Sequence, residues 1–366
     1  MVGTWASCVA LVGVVTIALV GTAAFGLDDG SGGWVGVSYQ ESSQAEAART
    51  PNDQRRIERS IDRGVRFLAS QQKPSGAFST RYPVAVTALG GMALLGRGVE
   101  YGRGPHQEVL HRAVTYLIDR SSSSGYISDA GDFASRMHGH AYAVLFLSQV
   151  LGQVGMPLAK DLRDVIDNGV DLIEDAQSVD GGWFYEPSQR NQDEASITVC
   201  CLQALRTAKD SGIRVDALVV EKAVRYLEKC SNPNGSFRYS LASPPSRTTY
   251  EMTAAAVSTL DAAGEYHSEL HARGVGYLRD QLARFPSNPF GAARRWPFYG
   301  NFYAAQVYFQ LGGEDWRNWR DRAFPKILAD QDERGAWDSP QGAEYATAMA
   351  VLMLEVPLGY LPIFER

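Results

Sequence analysis

The residues in this chain best equipped for chemistry are two carboxylates and two histidines. Asp193 and Glu194 are adjacent, and His138 and His140 stand two apart. A carboxylate beside an imidazole can do general acid–base work, because each shifts the other's pKa toward neutrality. On this reading Glu194 or Asp193 is the acid or base and His138 or His140 stands beside it. Tyr82, Tyr250, Glu251, Tyr299, Asn301, Tyr303 and Glu344 fall at matching places in the pattern described below. Their aromatic faces would stabilise a cation, and their polar groups would orient a ligand. Each has a plainer alternative. An acid at a helix N-terminus simply complements the dipole, and a histidine on an apolar helix is commonly satisfied by nearby backbone.

These residues are positioned by a repeat. An amphipathic helix, a turn with Gly and usually an aromatic, and a more apolar helix recur six times. The first helices carry Gly64-Val65-Arg66-Phe67-Leu68 and its counterparts beginning at Ala113, Gly169, Ala223, Gly274 and, more loosely, Ala323, spaced 49 to 56 residues apart. A period of this order marks a repeat architecture. In the first helix Ile57, Ile61, Val65 and Leu68 form one apolar stripe and charged residues fill the other face, as for a helix with one side in water. The segments 196–205 and 346–354 are apolar nearly all round and predict burial on most sides. With no polar end repeat, the pattern predicts an all-α, single (α/α)6 toroid over residues 51–366, apolar helices inside and amphipathic ones outside. The starts of the inner helices then share one rim of a central cavity, which collects the candidate site residues. An open solenoid is the alternative.

The formal charge is −6, with basic residues dispersed among acidic ones, and no basic stripe points to nucleic acid. Residues Cys8 to Phe25 lack charge, so residues 1–27 predict a signal peptide or a membrane anchor and an exported or envelope-anchored protein. Residues 28–50, rich in Gly, Ser and Gln, read as a linker. Three thiols, Cys200, Cys201 and Cys230, are expected buried, with a bridge from Cys230 to Cys200 or Cys201 as the alternative. The segments 186–192, 240–249 and 284–297 are candidate lids. The last carries Arg294 and Arg295, which would suit an anion.

The turns Gln177-Ser178-Val179-Asp180-Gly181-Gly182-Trp183 and Gln331-Asp332-Glu333-Arg334-Gly335-Ala336-Trp337 fit a QxxxGxW element, and Gln72 to Phe78 fits with Phe in place of Trp. They resemble the QW repeats of the terpene cyclase and protein prenyltransferase superfamily, and the chain is most similar to the prenyltransferase and squalene oxidase repeat proteins. The resemblance implies the toroid fold and an isoprenoid-like or other hydrophobic ligand. It carries no catalytic signature. The DxDD and DCTAE acid motifs are absent, and Asp193 and Cys200 lack the spacing of the family's zinc ligands, so neither a metal nor another cofactor is expected. Three readings follow: a toroid holding a hydrophobic ligand, with proton-transfer or carbocation chemistry if it is an enzyme; a carbohydrate-active toroid pairing Glu194 with Glu251 or Glu344; and a non-enzymatic envelope scaffold.

Overall fold

The computed structural model describes residues 51–133, 136–188, 193–285, 288–291, 295–359 and 361. The expected export segment, the linker, Cys8 and Arg294 lie outside them. Twelve α-helices follow: α1 (Pro51–Gln71), α2 (Pro83–Gly96), α3 (Gln107–Asp119), α4 (Arg136–Leu151), α5 (Leu158–Asp175), α6 (Ala195–Asp210), α7 (Ala217–Cys230), α8 (Tyr250–Ala262), α9 (Glu269–Arg284), α10 (Pro297–Leu311), α11 (Gly313–Ala329) and α12 (Ala343–Glu355). The even-numbered helices are the greasy ones. Each packs on the next, from α2 through α4, α6, α8 and α10 to α12, and α12 packs back on α2. The ring is closed, as the repeat pattern predicts.

The outer helices are held by a contact repeated around the ring. Each helix from α3 to α11 with an odd number lies against the inner helix that precedes it. The small residue opening the outer-helix motif faces that neighbour: a Cβ on Gly169 of α5 would come within 2.8 Å of Val144 Cγ2 in α4, and one on Gly274 of α9 within 2.5 Å of Val257 Cγ2 in α8. The first helix obeys the same rule across the ends of the repeat array. Gly64 of α1 sits where a Cβ would lie 2.5 Å from Val351 Cγ2 in α12. Thus α1 partners the last inner helix, and sequence adjacency misidentifies its closest mate.

The Gly turns stitch neighbouring outer helices together. At Gly335, φ is 90° and a Cβ would lie 2.6 Å from the carbonyl oxygen of Arg63 in α1. Only glycine takes this conformation and approach without strain. Gly76, Gly125, Gly181 and Gly235 make the same contact with α3, α5, α7 and α9. The turn glutamines reinforce it. Gln177 Nε2 donates to the carbonyls of Gly181 (3.0 Å) and Val219 (2.8 Å), and Gln331 Nε2 to those of Gly335 (3.0 Å) and Ser60 (2.9 Å). Two residues after the glycine a side chain plugs the core. This is Phe78, Trp183, Phe237 or Trp337, each nearly inaccessible, and Trp183 and Trp337 donate their indole N–H to Ile173 O and Ile327 O at 2.7 Å. In the second turn the slot holds Ile127, also fully buried, rather than the aromatic Tyr126 expected there. The fifth turn, at Gly291, departs from the pattern, its glycine facing Phe285.

The described cysteines, Cys200, Cys201 and Cys230, are buried free thiols with no bridge among them. Among the described residues no helix is long and apolar enough to cross a membrane.

Substitution of Gly335 and of Gly276 should move stability in opposite directions. Gly335→Ala places a Cβ against backbone at positive φ and should cost about 2–4 kcal/mol. Gly276 lies within α9 with open space around its Cβ position, and Gly276→Ala should stabilise by about 0.5–1 kcal/mol. Chemical denaturation of both variants measures the contrast.

Candidate functional site

On a buried helix only the stripe facing the ring axis can reach a ligand. That stripe recurs every three to four residues, and on three inner helices it is polar. It comprises His138 and Tyr142 on α4, Ser196, Cys200 and Gln203 on α6, and Tyr299, Tyr303 and Gln306 on α10. The hydroxyls of Tyr142 and Tyr303 meet at 3.1 Å. Since α4 and α10 lie three places apart in a ring of six, this hydrogen bond spans the ring from opposite sides. Cys200 Sγ lies 3.6 Å from the Tyr303 hydroxyl. The toroid axis is therefore blocked partway down. Tyr142 and Tyr303 each lie six residues into their helices, so the block lies about 9 Å below the helix starts at 1.5 Å per residue.

Aromatic rings cluster above the block, and the acid stands at the start of α6. The Tyr299 ring packs edge-on above Tyr303, with centroids 4.8 Å apart. Tyr185 bonds Tyr239 through their hydroxyls, and the His138 ring lies 6.0 Å from the Tyr185 ring. Arg247 stacks over Tyr239 at 5.5 Å. Glu194 is the N-cap of α6 in extended conformation, and its Oε2 is buried without a hydrogen-bond partner. Burial lifts its pKa to about 7, against the pull of Arg247 and with a push from Asp193. Burial also lowers His138 to about 4, opposed by a hydrogen bond with the Ser196 backbone, so its imidazole is neutral at pH 7. Tyr345, half-buried on α12, feels Cys200 and joins this group.

Several expected site residues lie elsewhere. Asp193 and Glu194 are adjacent in extended chain, which sends successive side chains to opposite sides. Asp193 turns away, accepts a hydrogen bond from Ser178 and packs on Gly182 behind the third turn. Burial raises its pKa, and the Ser178 hydroxyl lowers it. His140 is fully buried, with both ring nitrogens facing backbone groups. Its Nδ1 accepts from Ile127 N at 3.2 Å and its Nε2 lies 3.1 Å from Gly169 O. It fills the slot that Thr87, Thr198, Thr253 and Thr347 fill elsewhere, each accepting the backbone N–H of its turn's plug residue. Glu251 is spent on the start of α10, its Oε1 accepting from the amides of Arg295 (2.9 Å) and Trp296 (3.2 Å). Tyr250 is buried beside Tyr308 and Trp319. Asn301 is fully buried, its Nδ2 donating to Pro297 O at 2.9 Å. Glu344 sits by Gly342, in the field of Arg334 on the sixth turn. Tyr82 stays at the mouth, its ring 5.9 Å from the exposed Phe133.

The backbone resembles solved structures of several activities. The type II terpene cyclase MstE from Scytonema, in complex with its substrate geranylgeranyl dihydroxybenzoate, superposes with a TM-score of 0.56 at 15% identity, covering 85% of this chain and 100% of that one. The fold is that of the terpene cyclase-like helical toroids. D-mannose isomerase gives 0.59 at 12% identity, over 85% of this chain and 99% of its own. An alpha-amylase from Clostridium perfringens gives 0.56 at 10%, over 81% and 97%. The sequence matches no family model and no curated protein.

Two measurements separate the working residues from the structural ones. His140→Ala leaves the Ile127 N–H unmatched and a void in the core and should cost about 3 kcal/mol, with His140→Thr recovering part of the loss. Glu194 should titrate near pH 7 by carbon-detected NMR. Because the folded state holds this proton more tightly than the unfolded chain, the contribution of Glu194 to stability is present below its ordinary range and is lost as pH rises through 7. Glu194→Gln should remove that slope.

Proposed function

We propose that the tyrosine-lined axis above the Tyr142–Tyr303 contact binds a hydrophobic small molecule of the isoprenoid kind, with Glu194 exchanging a proton with it. The observation that carries this reading is the cluster of tyrosines on the ring axis with a desolvated carboxyl at the start of α6 above it. Tyrosine faces offer large apolar area to a hydrocarbon and a negative π surface to a developing cation. A carboxyl with a pKa near 7 is poised both to give and to take a proton at neutral pH. His138, neutral beside Tyr185, orients polar groups rather than supplying positive charge. Arg247 sits where it lowers the Glu194 pKa and fixes the Tyr239 ring.

The carbohydrate reading is weaker on this geometry. It needs a second carboxylate facing the first across the cavity. Glu251 is occupied by the α10 amides and Glu344 stands by the sixth turn. Likeness to a mannose isomerase and an amylase is a likeness of fold, and fold does not choose chemistry. The uncharged stretch from Cys8 to Phe25 supports a place at the cell envelope, where a hydrophobic ligand would be met.

The test is a thermal-shift and native mass-spectrometry screen of the full chain against geraniol, farnesol, mannose and maltose. The isoprenoid alcohols should raise the unfolding temperature and remain bound, and the sugars should do neither. Tyr345→Ala should weaken binding of the alcohols at least about tenfold, whereas Glu194→Gln should preserve binding and abolish any turnover. Binding of the sugars alone would overturn the reading.

A further inference from the structure

We propose that Glu355 is a proton-operated latch on the seam of the ring, which takes the guanidinium of Arg97 away from Asp62 when it ionises. Glu355 ends α12 and is 1% exposed, and both of its carboxyl oxygens are buried without a hydrogen-bond partner. The carboxyl lies on the backbone at the end of α2. A Cβ on Gly96 would collide with its Oε2, and Leu361 Cδ1 stands 3.3 Å from the same point. Glycine at this place therefore makes room for an acid between α12 and α2. The charge that reaches Glu355 comes from Arg97, one residue past α2. Arg97 is engaged elsewhere. Its Nε donates to Asp62 Oδ1 of α1 at 2.6 Å, and Glu58 of α1 also acts on it. One guanidinium thus serves acids from both of the other helices at the seam, α1 and α12.

Solvation decides which acid holds it. The Arg97 and Asp62 side chains are 33% and 37% exposed, and an ion pair so open to water is worth little. A carboxylate buried with no partner is costly. While Glu355 keeps its proton it needs no counter-charge, and Arg97 stays with Asp62. Once Glu355 ionises, the balance reverses and the guanidinium turns inward. Asp62 and Arg97 line a groove of about 490 Å³ beside α1, which gives the guanidinium room to turn. Burial pushes the Glu355 carboxyl well above the usual carboxylate range, against the pull of Arg97. The folded chain holds this proton more tightly than the unfolded one. The contribution of Glu355 to stability is therefore present in acid and is lost as pH rises through its folded pKa. The link that weakens is the one between α1 and the end of α2.

The experiment follows the full chain from about pH 4 to about pH 9. Carbon-detected NMR reads the Glu355 carboxyl and the Arg97 Cζ, and native-state hydrogen exchange, corrected for intrinsic rates, compares α1 with α5. Glu355 should titrate above the range of exposed carboxyls, and the Arg97 resonance should shift with the same midpoint. Buried α1 amides should lose about fivefold in protection relative to α5 across that midpoint. Glu355→Gln, a neutral mimic of the protonated acid, should abolish both the shift and the loss. Asp62→Asn should loosen α1 by the same factor already at the acid end. If Glu355→Gln does not fold, the surface variant Arg97→Gln replaces it, and should raise the Glu355 midpoint and make α1 protection independent of it. A Glu355 that titrates with exposed carboxyls or stays protonated throughout overturns the latch. So does an Arg97 resonance or an α1 protection that stays constant through the Glu355 midpoint.

Discussion

The structure depends on the close approach of each turn glycine to the backbone of the next outer helix. This contact joins neighbours that sequence alone does not pair. It is made five times around the ring, and its fifth instance, Gly335 on Arg63, links the end of the array to its beginning. With Gly64 on Val351, it makes the seam between α12 and α1 equivalent to the joints between α4 and α5 and between α8 and α9. A repeat protein without such a seam needs polar caps at both ends. Here the terminal repeats cap each other, so the inner helices can be apolar all round and still be buried.

Closure has a functional consequence. Six inner helices in a ring turn one stripe each toward a common axis, and residues there meet although they lie more than a hundred positions apart in sequence. Tyr142 and Tyr303, and Gln203 and Gln306, are such pairs. Polar groups on this stripe are enclosed by apolar helices, where an unmatched one is costly. Most satisfy one another across the axis. Glu194 Oε2, at the rim, does not, and its raised pKa follows from that isolation. Ser196 Oγ, Tyr299 Oη and Gln203 Oε1 on the same stripe also lack a partner, and among these groups Glu194 is the carboxyl. The fold positions it but does not select its chemistry, since toroids of this shape include both a terpene cyclase and sugar-acting proteins.

Much of the architecture was legible in the sequence because helical periodicity survives in a single chain. The contrast between Ile57–Leu68 and Ala346–Leu354 separated outer from inner helices, and the Gly-aromatic turns marked the joints. The partner of α1 was not legible, since proximity along the chain favours α2 and only closure reveals α12. Around the axis, Tyr299 packs on Tyr303, and His138 lies by Tyr185, which is in the field of Glu194. Asp193 does not join them, because one residue of extended chain reverses a side chain. His140 sits in the slot that threonine fills in four other repeats, and variable loop lengths between turn and helix concealed the correspondence. Tyr142 and Gln203 went unnoticed in the sequence, and Cys200 was read only as a buried thiol, although their signal was available: each lies three or four residues from another polar residue on an otherwise greasy helix. Tyr185, Tyr239 and Arg247 come from loops, where no periodicity announces them.

Native-state hydrogen exchange of α1 tests the closed ring most directly, because a seam that is truly equivalent to the other joints shares their stability. The account predicts that buried amides of α1 around Ile61, Val65 and Leu68 exchange with the same opening free energy as those of α5 and α12. If α1 instead exchanges early as a separate unit while α12 stays protected, the ring is open at that joint, and the shared axis and the proposed site on it lose their foundation.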